Sequence, residues 1–333
     1  KNLCMIKLGT NFNPFSEFSH SGPNVFLKRL FLDFKKNKSF ITKSGLLPNF
    51  DVGLYLIKKG KYDYNKPFFL RNGGIHFDSK DTIGGKRIND QIFSSAEKSK
   101  GIIFISEFCK KLFFKFYNMK SKVPTTVIHN AVPLNKFNPE GVNYRENLGF
   151  SNKDKIIISS ANWRRHKRLD ETIKFVNMMN SKFNNIFKLI VLGKNNLKIK
   201  NNNIYFTGEI SPDSLPAWYR TGDMFLHLAW IEPGGNTQIE AMACGLPTLC
   251  CNNGGIVETI KSNNSGIVAN TDEEYDFNEI DFYNPPEPNY INLEKNLIEI
   301  FKNLNEIKKN IKYENLDIRN ASKKYEQFIK KNI

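Results

Sequence analysis

Short runs of apolar residues alternate along this chain with stretches in which apolar positions recur every three or four residues. That alternation predicts strands joined by helices, the pattern of a parallel α/β architecture. In the first half it predicts strands at Leu3–Leu8, Val52–Ile57, Pro67–Leu70, Gly101–Ile105 and Thr125–His129, with helices at Pro23–Phe34 and Glu107–Tyr117. The turn-rich segment Asn138-Pro139-Glu140-Gly141 then interrupts the series. A second series follows, with strands at Ile156–Ser160, Phe187–Leu192, Asn203–Phe206, Met224–Leu228 and Thr248–Cys251. Its helices are predicted at Leu169–Asn180, Leu215–Arg220 and Thr237–Cys244, and another begins at Ile256–Lys261. Gly245 and Pro247 stop the helix before them.

The chain has 333 residues, long for one core and suited to two domains of about 100–200 residues each. The expected division is a first domain over residues 1–140, a second over 141–310, and a helical, Lys-rich tail over 311–333 that packs back on the first. Both domains read as Rossmann-like. Two such domains in tandem place a cleft between them, where strand carboxyl ends and helix amino ends face one ligand. Thr271–Tyr290, acidic and carrying Pro285-Pro286, reads as a surface loop.

Apolar residues make up 40% of the chain, which suits real cores and excludes collagen-like or wholly disordered classes. Cys4, Cys109, Cys244, Cys250 and Cys251 form no C-x-x-C, and no Cys/His pair stands at zinc-ligand spacing. Reduced core thiols are therefore expected, in the cytoplasm or at the cytoplasmic face of a membrane. No apolar run reaches the ~18 residues of a membrane span. Lys1–Ile6 lacks a signal-peptide apolar region, and without an initiator Met the native start is expected upstream. The formal net charge of +16 suits an anionic partner: a nucleotide, a phosphorylated acceptor, a membrane or a nucleic acid. The Lys-, Asn- and Ile-rich composition of an AT-rich genome accounts for it equally well.

Candidate chemistry concentrates in the second series, at Trp230-Ile231-Glu232-Pro233-Gly234-Gly235-Asn236-Thr237-Gln238-Ile239-Glu240. The context is strand, glycine loop, helix. Pro233, Gly234 and Gly235 bar helix formation and bring bare backbone close to a ligand. Asn236 reads as the N-cap, and the helix start with its free N–H groups favours an anion such as a diphosphate. Glu232 precedes the loop, and Glu240 lies about one turn into the helix on a face able to turn toward the same pocket. Upstream, Asn162-Trp163-Arg164-Arg165-His166-Lys167-Arg168 fills a strand-to-helix loop with cations suited to neutralising a diphosphate.

Glu232 and Glu240, with seven residues between them, resemble the E-x7-E signature of the family 4 retaining glycosyltransferases, which have the GT-B fold. Ala241–Thr248 resembles that family's E-A-M-A-x-G-x-P-V segment, and Asn253-Gly254-Gly255-Ile256-Val257-Glu258 its G-G-x-x-E element. The resemblance implies that Glu232 contacts the donor sugar and Glu240 the nucleotide ribose. It implies that Arg164 and Lys167 grip the diphosphate, with Arg165 and Arg168 as weaker matches, and that Gly234, Gly235, Asn236 and Thr237 line the donor site. Phe206-Thr207-Gly208-Glu209-Ile210 resembles the turn beside the base, to which Ile210 offers its backbone, and Asp213–Tyr219 resembles the helix that follows.

The first half is less typical. Gly22, in Ser21-Gly22-Pro23, is similar to a glycine turn approaching the donor phosphate. Ser106-Glu107-Phe108 and Ile128–Phe137 resemble the S-E-x turn and the link closing the first domain, with Ala131 and Pro133 departing from the family pattern. Leu70–Asp78 is the acceptor-side loop by resemblance, with Asn72 or His76 facing the reacting sugar. The apolar residues Phe108, Leu112, Phe113, Phe114 and Phe116 beside Lys110, Lys111, Lys115 and Lys120 read as a sheet-packing helix, with peripheral membrane contact as the alternative.

The function implied is transfer of a sugar, with retention, from a nucleotide diphosphate sugar, UDP-sugars foremost, to a glycan, lipid-linked or protein-linked acceptor. No metal or other cofactor is expected, because the cations and the helix start take the place of one. The alternatives are a nucleotide-sugar epimerase of the same fold and a non-catalytic basic binding protein. No nucleic-acid partner is expected, since no RNA- or DNA-binding motif is present.

Overall fold

A computed structural model describes residues 5–11, 21–42, 49–58, 65–80, 82–117, 122–197 and 199–333. Leu3 and Cys4 of the first predicted strand, the segment 1–4 and Lys120 lie outside the described residues. The chain divides into two compact units: residues 1–133, 277–280 and 317–333 form one, and residues 134–276 and 281–316 the other.

In the first unit, strands β1 (Lys7–Gly9), β2 (Ile41–Thr42), β3 (Val52–Leu56), β4 (Phe68–Asn72), β5 (Gly101–Phe104) and β6 (Thr125–Val127) make one sheet in the order β2-β1-β3-β4-β5-β6. Every pairing in it is parallel. Helix α1 (Gly22–Lys36) buries Phe26, Leu27, Leu30, Phe31 and Phe34, spaced to form one apolar face against that sheet. Helix α2 (Thr82–Lys98) is not legible in the apolar pattern. Gly84-Gly85 stand in its first turn, and among its apolar side chains it buries little beyond Ile92 and Ala96. Helix α3 (Glu107–Phe116) is capped by Ser106, whose Oγ accepts from the Cys109 N–H, and it buries Phe108, Cys109, Leu112 and Phe113. Most of its apolar face therefore serves the core, while Phe114 is exposed.

The second unit repeats the scheme with β7 (Lys155–Ser160), β8 (Phe187–Leu192), β9 (Ile204–Gly208), β10 (Met224–His227), β11 (Thr248–Cys251) and β12 (Gly266–Ala269). Its helices are α4 (Leu169–Lys182), α5 (Leu215–Thr221), α6 (Asn236–Ala243), α7 (Ile256–Asn263), α8 (Tyr290–Lys302) and α9 (Leu304–Asn310). The sheet is again parallel, in the order β12-β11-β10-β7-β8-β9. Ile173 and Val176 of α4 and Leu293, Leu297 and Ile300 of α8 join one buried cluster with strand residues Ile157, Leu189 and Leu226.

From β7 the strand order runs outward in both directions, so the connections leaving β7 and β10 diverge. Such a switch point opens a crevice at the strand carboxyl ends. Each unit is thus a doubly wound α/β layer, the fold class the apolar pattern predicts.

Two segments cross between the units. After the second unit the chain returns as α10 (Ile318–Asn332), entered through an Ile318 N–H to Val132 carbonyl bond of 2.9 Å. Tyr325 of α10 packs its ring 6.0 Å from that of Phe26 on α1. Phe277–Ile280 also belongs to the first unit: the Ile280 N–H donates to the Phe77 carbonyl at 3.0 Å. Thr271–Tyr290 is a largely exposed loop as expected, anchored by buried Thr271 and Tyr275 and by Asp272, which Arg168 sequesters. No described helix is long and apolar enough to cross a membrane.

Candidate functional site

The switch point of the second unit gathers its side chains from two connections. From β7 comes a 3₁₀ turn, Arg165–Lys167. From β10 come its last residue, His227, and the loop to α6 that carries Glu232. The ammonium of Lys167 lies 2.5 Å from Oε2 of Glu232, and Nε2 of His227 lies 3.2 Å from the same oxygen.

Glu232 is 9% exposed. Burial works against its charge, yet Lys167 and the His227 hydrogen bond hold the carboxyl well below the usual carboxylate range. Burial pushes His227 the other way, toward the neutral form, against the pull of Glu232. His166 is depressed to about 3, first by burial and then by the charge of Lys167. Burial thus favours the neutral form of both imidazoles beside the Lys167–Glu232 ion pair.

The backbone of Glu232 is fixed as firmly as its side chain. It forms a parallel bridge with Gly254, and the Ile256 N–H donates to its carbonyl at 3.4 Å. Gly254 has φ +117°, and a Cβ built there stands 2.3 Å from the Glu232 carbonyl oxygen. Only glycine fits that conformation and that approach. The Asn253–Glu258 element therefore clamps the loop that presents Glu232.

Helix α6 begins at Asn236 with Gly235 as its N-cap and no side-chain cap bond. This corrects the reading of Asn236 as N-cap: the extended φ and ψ of Gly235 let the helix start one residue earlier. Gly234, Gly235, Asn236 and Thr237 are half-buried around that start, and no acidic residue sits in its first turn. Glu240 is buried farther along α6, where the Tyr219 hydroxyl donates to its Oε2 at 3.0 Å.

The cations of the β7 connection separate by environment. Arg164 is exposed and lines a depression of about 450 Å³ with Trp163, Lys194 and Asn195. Arg165 pairs with Asp170 at 3.2 Å and Glu171 at 2.9 Å. Arg168 is fully buried at φ +54° and binds Asp272 at 2.6 and 3.1 Å. It also donates to the Pro286 carbonyl at 2.5 Å. Arg168 is therefore committed to holding the 272–286 segment, which removes it from the diphosphate candidates. Ile210 is half-buried just beyond β9.

Gly22, Asn72 and His76 lie in the first unit. Gly22 is the first residue of α1. Asn72 ends β4 fully buried; its Oδ1 accepts from the Gly74 N–H at 2.7 Å, and its Nδ2 has no partner among the described residues. The backbone of His76 is clasped by Asn89, whose Oδ1 accepts from the His76 N–H at 2.8 Å. Its ring packs on α2, where a Cβ at Gly85 stands 2.3 Å from the imidazole.

Sequence reasoning missed His227 and Tyr219 as site residues. His227 is the one polar side chain in the run Met224–Leu228, and a lone imidazole closing an apolar strand is the signal that points to it. Among the described residues, no group of three or more His, Cys, Asp or Glu stands together to hold a metal.

Residues 142–280 match the family model "Glycosyl transferases group 1". The chain is 24% identical over 213 residues to the uncharacterized glycosyltransferase MJ1607 of Methanocaldococcus jannaschii, an alignment covering 59% of this chain and 52% of that protein. The chain thus spans about half the length of that relative. Among solved structures, a sucrose-phosphate synthase of Thermosynechococcus elongatus superposes with a TM-score of 0.75 at 12% identity, covering 98% of both chains. Anabaena Alr3699/HepE in complex with UDP and glucose superposes with a TM-score of 0.71 at 13% identity, covering 98% of this chain and 100% of the other. The likenesses to solved structures show the GT-B fold.

Proposed function

From the match of residues 142–280 to the group 1 glycosyl transferases, we propose that this protein transfers a sugar from a nucleotide diphosphate sugar to an acceptor hydroxyl with retention of configuration. The observation that carries the reading is the meeting of Lys167 with Glu232 beside the start of α6. It supports the reading by joining a cation and a carboxylate at the switch point, with the carboxylate four residues ahead of the first residue of α6. A diphosphate suits the cation and the helix start. A sugar hydroxyl suits the carboxylate. UDP is the nucleotide we favour, because HepE, of the same fold, was solved with UDP and glucose.

In the step proposed, the bond from the anomeric carbon to the phosphate oxygen breaks and a bond from that carbon to the acceptor oxygen forms on the same face. The acceptor proton passes to an oxygen of the departing diphosphate. Lys167, Arg164 and the α6 start neutralise the charge that develops there, so no metal is needed. Glu232 meets the sugar. Glu240 holds the ribose, Ile210 borders the base, and Gly234, Gly235, Asn236 and Thr237 face the phosphates. The acceptor is a glycan or a lipid- or protein-linked sugar.

The test is a thermal-shift screen of nucleotide sugars, since a ligand of the native state raises Tm by mass action. UDP-release and product assays with the stabilising donor follow, with and without excess EDTA. Stabilisation by a UDP-sugar and turnover that persists in EDTA are expected. Turnover abolished by EDTA and restored by Mg²⁺ overturns the metal-free step. Conversion of the donor without any acceptor points to an epimerase.

A further inference from the structure

Building on the proposed donor site, we infer that His227 is the positioning residue that keeps Glu232 oriented when Lys167 leaves it for the diphosphate. Lys167 cannot serve both partners fully. It sits on a short turn at the end of a flexible stem, and the doubly negative diphosphate is the stronger attractor. His227 has no such freedom. It closes β10, paired in register with Cys250 of β11, and its ring lies parallel to that of Phe225 at 6.2 Å. It is 2% exposed.

The hydrogen-bond accounting fixes the tautomer. Nε2 faces Oε2 of Glu232, while Nδ1 is buried without a partner. A proton on Nδ1 sets the Nε2 lone pair against a carboxylate and wastes a donor. A proton on Nε2 makes the bond. Both contacts of Glu232 fall on Oε2, and among the described residues Oε1 has no protein partner. That oxygen is left to a sugar hydroxyl, and His227 fixes where it points. A group acting through another in this way adjusts the reacting geometry without touching substrate.

Two measurements test the inference. Nitrogen–proton NMR of the histidine rings reads the tautomer. His227 is expected to be neutral with its proton on Nε2 in the free protein, and to remain so when UDP saturates the site. A proton on Nδ1, or loss of the Nε2 bond on adding UDP, overturns the inference. The second measurement compares His227→Gln, whose amide N–H reaches the place of Nε2, with His227→Asn, whose amide reaches only that of Nδ1. For UDP release from UDP-glucose, His227→Asn is expected to lower kcat roughly 10-fold or more, with the Kd for UDP within about 2-fold, and His227→Gln to restore kcat to within about 3-fold of the parent. Equal losses in both variants, no loss in either, or a loss in Kd instead of kcat overturns the inference. If the parent protein binds UDP but releases none from UDP-glucose, or fails to bind UDP, the donor reading is what fails. The tautomer in the free protein still decides the role of His227.

Discussion

The Nζ of Lys167 lies 2.5 Å from Oε2 of Glu232, across 65 positions of sequence. Each is the nearest opposite charge of the other, and both are largely buried. The two groups proposed to act on the leaving diphosphate and on the sugar are thus paired with one another before any ligand arrives.

That pairing sets the first prediction. Glu232→Gln releases Lys167, so free UDP should bind tighter by roughly 3–10-fold, about 0.7–1.4 kcal/mol. Sugar transfer should fall by at least ~10-fold, because the carboxylate matters most as the anomeric carbon becomes cationic. Calorimetry with UDP alongside steady-state rates measures both. UDP affinity that drops in this variant shows that Glu232 and the diphosphate do not compete for Lys167.

Tyr219 should matter through Glu240. Tyr219→Phe removes only the hydroxyl that donates to Oε2 of Glu240 at 3.0 Å. The loss of one such bond is worth ~1 kcal/mol, so UDP affinity should fall about 5-fold. Removing the ribose contact itself, with Glu240→Gln, should cost more. Equal UDP affinity in Tyr219→Phe and the parent separates Glu240 from the ribose or Tyr219 from Glu240.

The two arginines should respond in opposite ways. Arg168→Met strands the buried Asp272 carboxylate, a loss of ~3–5 kcal/mol, with Tm falling roughly 6–20 °C. Arg164→Met, at an exposed position, should leave Tm within about 2 °C and weaken UDP binding by about 10-fold. Differential scanning fluorimetry and calorimetry on the two variants decide the matter. A stable Arg168→Met with lost UDP binding reverses the assignment.

Acid should destabilise the protein through His166. Burial, then the charge of Lys167, depresses its folded pKa to about 3, against ~6.5 in the unfolded chain. The unfolded state therefore binds the proton first. The stabilisation is fully present above pH ~6.5 and is lost as pH falls from there toward 3, by at most ~1.4 kcal/mol per pH unit for this one group. His166→Asn should flatten the Tm profile between pH 6.5 and 4. An unchanged slope assigns the acid sensitivity to other groups.

The sequence alone determined the α/β class, the order of most strands and helices, and the loop carrying Glu232. Those features rest on local physics. An apolar run such as Ile156–Ser160 has few ways to bury itself other than as an inner parallel strand, and Gly234-Gly235 ahead of a helix leaves bare backbone wherever the chain goes. Helix α2 escaped notice because Gly84-Gly85 mask its start and its apolar face is thin. Only the tertiary structure decided which cations are free to act. Arg164, Arg165, Lys167 and Arg168 are equivalent charges in a five-residue stretch, yet one is exposed, one pairs with Asp170 and Glu171, one holds Glu232, and one is buried with Asp272 104 positions away. Likewise, His227 reads as an ordinary strand residue until the order β10-β7 brings the connection from β7, with its lysine, beside it. Burial and pairing between distant segments set the charge and orientation of these groups, and neither is a property of the local sequence.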